Sequence, residues 1–524
     1  MSRKRRVERW ALVGLFLLAF IPRVLYPVSR GVHWYFWSAS FFEDILRGEW
    51  ADTLYGEHPG VMVMWLSGAA LWGWYGLQSL LGLNPPVPLD TPGYAFVDRM
   101  AVAVAPLALV IALGIVWGWY LMRRLFGRWV AWVAAVLWAL NPYYLTNSKA
   151  LYLDALLTIF MWLSALWLLV YLREGKRRHL VLSGVLGGLA LLTKTPAIFL
   201  VPFLLLCLSA SHLTTALKER KKLTTTLRQR VLSGGRDILL WAIVVLIVYF
   251  ALWPSLWVQP GKSLALLYRE GLVLRTRPRQ LPLLYRGQLG RFAPGIRYYI
   301  DVVSFRTTFL TLPFAVLGVL TAFSVRQKER LSFLLLTAFG FFYFIQGALA
   351  SWKDGRYILP VFLVLDVLAA FGLIWWANRF RQVIKVRPAY LIGALLALQT
   401  VVVLSRHPYY GTHYNVLVGG HRSVMRVFPP ADFGEGIDLA GQYIDSQEDV
   451  EDSVIGTQFL ANEMLEQHVR ALIRDIAEVG DDVDYLVFGV QYTMRGPEHP
   501  RWGGLWEETY KFREAEFVAS FAGI

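Results

Sequence analysis

The sequence predicts an α-helical polytopic membrane protein that carries a small α/β domain outside the bilayer. Three observations lead there. Of the 524 residues, 56% are hydrophobic, above the ~45–50% usual for soluble domains, and the mean hydropathy is +0.45. Apolar runs of about 20 residues, the length that crosses a hydrocarbon core, recur from Trp10 to Leu404. The charge is divided unevenly. From Arg406 onward 20 Asp/Glu face 9 Lys/Arg, a net −11, whereas the whole chain carries +15. The excess cations of the first part sit in short clusters between apolar runs, the pattern of loop charges that set membrane orientation.

The elements follow in order. The N-terminus MSRKRR precedes an apolar stretch from Trp10 without a small-residue cleavage site, so 10–27 reads as an uncleaved first helix. Further spans are expected at 97–122, 129–146, 154–172, 179–193, 195–210, 237–255, 305–325, 331–350, 357–377 and 388–405, for a total of about eleven. One more run, 60–82, is long enough to span, and charge decides against it. Basic clusters lie at Arg3–Arg6, Arg123–Arg128, Arg173–Arg178, Lys218–Arg230, Arg326–Arg330 and Arg379–Arg387. All six share the side of the N-terminus only if 60–82 lies along the interface. The positive-inside rule therefore places it there. The protein is expected in the cytoplasmic membrane with its N-terminus inside. The outside holds loops 28–96 and 256–304, the short stretch 147–153, the Lys194 turn, Lys353–Arg356 and the tail.

The chain divides into a membrane domain, 1–405, and a soluble extracytoplasmic domain, 406–524, with 424–436 as linker. In the tail, 435–446 and 458–473 read as amphipathic helices, and 484–491 and 515–520 as strands. The single cysteine, Cys207, supports neither a disulfide framework nor a Cys-based metal site. No nucleic-acid-binding motif is present, and membrane lipids are the expected partners.

Chemistry belongs to the external segments. The first loop carries Glu43 and Asp44, then Glu57-His58-Pro59-Gly60. Asp154 opens a span, where an acid facing lipid costs ~2.5–3.5 kcal/mol and so faces a cavity or a partner. Lys194 breaks an apolar hairpin, and Arg356-Tyr357 stands at a helix mouth. The loop 256–304 is basic against the positive-inside trend, with Arg275 and Arg286 among its cations. Guanidinium forks suit phosphate, and general attraction to anionic headgroups is the other reading. Carboxylates and cations at one membrane face fit an enzyme that uses a lipid-linked phosphate donor. A carboxylate would serve the acceptor, and cations would stabilise the departing phosphate. No metal site is identified; the acids with His58 could hold a divalent cation, but nothing in their spacing fixes its geometry.

Four segments, in order, resemble the GT-C glycosyltransferases, in particular the protein O-mannosyltransferase and aminoarabinose-transferase group (glycosyltransferase families 39 and 83). They are FFEDILRGEWADTLYGEHPGVMVMW, NPYYLTNSKALYLDALLTIF, GVLGGLALLTKTPAIFLVPF and KDGRYILPVFLVL. RHPYYGTHYNVLVGG and the FGEG stretch of the tail add to the likeness. The resemblance implies an inverting transfer of one sugar from a polyprenyl-phosphate donor to a lipid, glycan or protein acceptor. It also implies roles by position. Asp154 matches the second acid of the family, Glu57-His58-Pro59 the stretch closing the first-loop wall, Lys194 the lysine of the LTK motif, and Arg356 and Tyr357 the late RY pair. Asp154 and Glu57 are then the catalytic candidates. Lys194, Arg356, Tyr357, Arg275 and Arg286 would bind donor phosphate, with His58, Glu43 and Asp44 on the acceptor side. The sequence departs from the family just after the first span. An acidic residue is usual there, and this chain has Arg30-Gly31 within YPVSRGVHWYFWSASFF. A non-catalytic relative that binds lipid-linked sugar or a partner is the alternative. A transporter or flippase would show mid-span polar residues and internal symmetry; Asp366 is one such residue, and no repeat is seen.

Overall fold

The computed structural model describes residues 3–26, 31–56, 58–82, 96–219, 223–269, 283–290, 294–428, 434–448, 450–457, 465–475 and 483–487. The fold is built around one helix. α7 (Leu153–Glu174) is buried at every position from Leu153 to Val170, as its apolar character on all faces requires. Around it pack α4 (Phe96–Phe126), α8 (Arg177–Thr193), the helix Leu200–Glu219 and the helix Leu359–Ile384. α1 (Arg3–Val24) lies against α4. α2 (Val32–Arg47) and α3 (Val61–Leu80) pack on each other, and α3 packs on α4.

Among the described residues, six helices are long and apolar enough to cross a membrane: Arg99–Phe126, Leu153–Glu174, Thr195–Thr214, Ser233–Ala251, Gln327–Leu349 and Gly355–Ile384. This is fewer than the eleven spans expected, and the chain shows where apolar runs break. The run 129–146 becomes two helices, α5 (Arg128–Ala139) and α6 (Pro142–Lys149). Asn141 divides them: its side chain accepts from the Tyr144 amide, and Pro142 starts the new helix. The run 305–325 is also no straight span. Arg297–Arg306 and Thr311–Leu320 meet at 117°, and would make a seventh crossing only if counted as one broken span. The segment 60–82 is helical but is not among the six. Asp366, buried in Leu359–Ile384, accepts from Asn141 Nδ2 at 3.0 Å and Thr311 Oγ1 at 2.9 Å. The mid-span acid therefore ties three elements together.

Small residues let backbones approach where those helices cross. A Cβ on Gly318 would fall 2.0 Å from the Leu368 carbonyl oxygen, and one on Gly372 2.0 Å from that of Phe314. In the loop 256–304 a hairpin pairs β1 (Leu283–Tyr285) with β2 (Gln288–Gly290). Its turn residues, Arg286 and Gly287, both have positive φ, matching the twist of a two-residue hairpin.

The described part of the tail forms a parallel sheet in the order β4 (Leu472–Asp475), β3 (Val454–Thr457), β5 (Tyr485–Val487). The helix Ile437–Asp445 buries Ile437, Ala440 and Ile444. The helix expected at 435–446 is present as Ile437–Asp445, and the strand expected at 484–491 is present at Tyr485–Val487, residues 488–491 lying outside the described residues. The helix expected at 458–473 is not: residues 458–464 lie outside the described residues, and 465–475 make a turn and then β4. Ladder bonds to β3 override the helical period there. The strand expected at 515–520 also lies outside the described residues. The apolar cluster of the tail includes Ala150, with Tyr152 packed on it, so the domain sits directly on the segment before α7.

Replacing Gly372 by Leu should shift the purified protein into aggregate on size-exclusion chromatography. Gly393→Leu, where an added Cβ meets nothing within 4 Å, should leave the monodisperse peak unchanged.

Candidate functional site

Three chain corners converge at one end of α7. Asp154 is the second residue of that helix, set by the extended Tyr152 before it. Lys194 ends α8 in an extended conformation, and Pro196 follows in a short 3-10 turn. Arg356 lies in the 3-10 turn Gly355–Ile358, whose cap Asp354 accepts from the Arg356 amide. Lys194 Nζ donates to Asp154 Oδ1 at 2.6 Å. Arg356 Nε stands 3.7 Å from Asp154 Oδ2 and 3.1 Å from Asp354 Oδ2. Aromatic faces fix both cations: Lys194 Nζ lies 4.9 Å from the Tyr357 ring centre, and the Arg356 guanidinium 4.5 Å from that of Tyr152. Asp154 and Lys194 are 3% and 4% exposed, so water screens the pair little.

Beside this cluster is a cavity of about 350 Å³. Asp154, Thr158, Thr195, Tyr343, Gln346, Ser351, Arg356 and Tyr357 supply its polar lining. Leu157, Pro196, Ile198 and Leu349 supply an apolar side, of which Ile198 and Leu349 are 55% and 81% exposed. The lining therefore combines one guanidinium, one carboxylate and several hydroxyls with exposed apolar side chains. A ligand with an anionic head and a hydrocarbon tail matches that combination.

The first loop reaches the same place. The Gly60 amide donates to the Thr193 carbonyl at 3.2 Å, which sets the His58-Pro59-Gly60 corner against the Lys194 turn. A Cβ on Gly31 would lie 2.2 Å from the Leu151 carbonyl oxygen, so the start of α2 presses on the segment before Asp154. His33, in the first turn of α2, meets Tyr152 edge-on at 6.0 Å.

Of the residues expected from the sequence, Asp154, Lys194, Arg356 and Tyr357 come together, with His58 in the adjoining corner. Glu57 and Arg275 lie outside the described residues. Arg286 is committed elsewhere. Its Nε and Nη2 donate to Asp301 at 2.9 and 2.8 Å, so the fork assigned to phosphate is already filled by a carboxylate. Glu43 pairs with Arg47 one turn on, and Asp44 accepts from the Tyr55 hydroxyl at 2.6 Å. Burial pushes the Asp44 carboxyl above its ordinary range, and neither acid lines the cavity. Sequence reasoning missed Tyr152 and Asp354. Asp354 stood in the quoted KDGRYILP and was legible as a turn cap; Tyr152 carried no signal beyond its position two residues before Asp154. Among the described residues no three His, Cys, Asp or Glu are grouped to hold a metal ion.

Residues 95–229, which include Asp154 and Lys194, match the family model described as dolichyl-phosphate-mannose-protein mannosyltransferase. No curated protein matches the chain. Among solved structures it is similar to ArnT from Cupriavidus metallidurans, both bound to undecaprenyl phosphate and in the apo state. Each comparison has a TM-score of 0.51 at 16% identity, over 90% of this chain and 86% of that one. The Archaeoglobus fulgidus oligosaccharyltransferase in its apo form gives a TM-score of 0.44 at 13% identity, over 90% of this chain and 64% of that one. The fold is thus the one expected from the resemblance, that of the GT-C glycosyltransferases.

Breaking a buried ion pair on one side costs about 3–5 kcal/mol, because the remaining charge is left uncompensated. Asp154→Asn should therefore lower the thermal midpoint of the detergent-solubilised protein markedly. Asp154→Asn combined with Lys194→Met should recover part of that loss.

Proposed function

We propose that this chain, a multi-pass membrane protein with the GT-C glycosyltransferase fold, transfers a sugar from a polyprenyl-phosphate donor to a lipid, glycan or protein acceptor. The transfer takes place at the outer face of the cytoplasmic membrane. One observation carries the reading: Asp154, which holds Lys194 and Arg356, lines a cavity together with Arg356 and with the exposed apolar side chains of Ile198 and Leu349. Such a lining suits a phosphate bearing a long hydrocarbon chain. The undecaprenyl phosphate bound to the ArnT structure belongs to the same chemical class.

The chemistry follows from the charges. When the bond between the sugar C1 and phosphate breaks, negative charge grows on the leaving phosphate. Cations already fixed beside it stabilise that charge without reorganising during the reaction. Lys194 and Arg356 are so fixed, by Asp154, Asp354 and the Tyr152 and Tyr357 rings. Asp154 Oδ1 accepts from Lys194 Nζ, and Oδ2 lies 3.7 Å from Arg356 Nε without a hydrogen bond, so the acid sets the positions of both cations by charge. Attack by the acceptor from the face opposite the phosphate inverts the anomeric centre in one step. The acceptor enters from the first-loop side, at the corner that carries His58. The N-terminus is cytoplasmic, and the tail domain shares the compartment of the acceptor.

The test is transfer by the purified protein, given radiolabelled polyprenyl-phosphate sugars and a membrane-lipid and glycan extract. Label should move to an acceptor, and Lys194→Met and Arg356→Gln should each lower the rate by roughly 10²–10³-fold. Saturable donor binding with no transfer by the wild-type protein would instead identify a binder of lipid-linked sugar.

A further inference from the structure

We propose that Gln346 is a specificity-determining residue whose side-chain amide binds hydroxyls of the sugar that the donor carries, an inference that rests on the transferase reading of the same cavity. A polyprenyl-phosphate donor brings two parts to the site besides its hydrocarbon chain. The phosphate is anionic and is met by cations. The sugar presents hydroxyls, each a donor and an acceptor, and is met by neutral groups that can do both.

The lining of the cavity divides in the same way. Its charged side chains are Asp154 and Arg356. Its neutral polar side chains are Thr158, Thr195, Tyr343, Gln346 and Ser351. Gln346 is the amide among them, with two N–H donors and a carbonyl acceptor. It is exposed, and among the described residues its amide forms no hydrogen bond. On the α7 wall, Thr158 Oγ1 is buried and also has no partner, and a buried polar atom left so asks for one. The amide stands in apolar company on its own helix, where Phe341, Phe342 and Leu349 are exposed. A polar group on such a surface loses the hydrogen bonds that water would supply, and a hydroxyl-bearing ring in the cavity restores them.

The backbone that carries the amide is held in place. Tyr343, Gln346, Gly347 and Ala350 all line the cavity, and their spacing of three and four residues puts them on one face of the helix Gln327–Leu349. Tyr343 packs edge-on against Phe199 at 5.1 Å. A Cβ on Gly347 would fall 2.6 Å from the Ile358 side chain, so the end of the helix presses on the turn Gly355–Ile358. Lys353 Nζ donates to the Gly347, Ala348 and Ala350 carbonyls, which closes the helix and leads the chain back to Arg356. Amide and guanidinium are thus carried by adjoining elements, as a sugar joined directly to its phosphate requires.

The experiment measures binding of undecaprenyl phosphate, and of undecaprenyl phosphate carrying mannose, glucose or galactose, to the purified wild-type protein, Gln346→Met and Gln346→Ala. Methionine keeps the length of the side chain and removes its hydrogen bonds, and the bare lipid phosphate reports whether fold and phosphate site are intact. The wild-type protein should bind one sugar-bearing lipid more tightly than the other two and than the bare lipid phosphate. Both variants should bind that lipid roughly 3–10-fold more weakly, the worth of one or two neutral hydrogen bonds. They should also narrow the spread among the three sugars and bind the bare lipid phosphate as the wild-type protein does. An equal loss for the bare lipid phosphate overturns the proposal, because the amide then serves the phosphate or the fold. Unchanged binding of every lipid by both variants overturns it, as does a wild-type protein that binds all four alike. In those cases the transferase reading stands if Lys194→Met weakens binding of the bare lipid phosphate. If the wild-type protein binds none of the four, both fall.

Discussion

Asp154 is the point on which the site depends. One carboxylate at the mouth of the most buried helix brings a lysine and an arginine from two distant turns into one cluster. Without it, two cations would be buried side by side at large cost. With it, α7, α8 and the turn before Leu359–Ile384 are joined at one place by charge as well as by packing. The carboxylate and the two aromatic rings fix the positions of both cations. This is a preorganised site: the cost of assembling the charges is met by the fold, before any ligand arrives.

The same cluster reaches outward through Tyr152. Its ring touches Arg356 on the site side and the apolar cluster of the tail domain on the other. Further contacts lie within the tail and between it and Arg306. Tyr409 donates to Asp438 at 2.7 Å. Glu435 is buried over Gly411, where a Cβ would fall 2.0 Å from its carboxylate oxygen. Arg306 lies between the Tyr143 and Tyr414 rings and donates to the Gly411 carbonyl. The described part of the tail therefore packs on the segment that leads into Asp154.

Much of the site was legible because it is made of charges where charge is expensive. Asp154, Lys194 and Arg356 each interrupt apolar sequence at a turn, and an ionisable group there needs a partner. Their mutual pairing was not legible, since 40 residues separate Asp154 from Lys194 and far more separate either from Arg356. Arg286 misled for the complementary reason. A cation in a basic loop looks available until Asp301, 15 residues on, is seen to fill its fork. Glu43 and Asp44 likewise found partners within a few turns, in Arg47 and Tyr55.

The sequence by itself determined the helical membrane class, the α/β character of the tail and the corners that carry charge. Composition and period are local properties, and they suffice for those. Only the tertiary structure decided which apolar runs are broken, as at Asn141 and at the 117° bend after Arg306. It also decided that Asp154 serves two cations at once and that His33 and Arg356 share a tyrosine. Those outcomes depend on how close helices can approach, which glycines such as Gly31, Gly318 and Gly372 control through contacts remote in the chain.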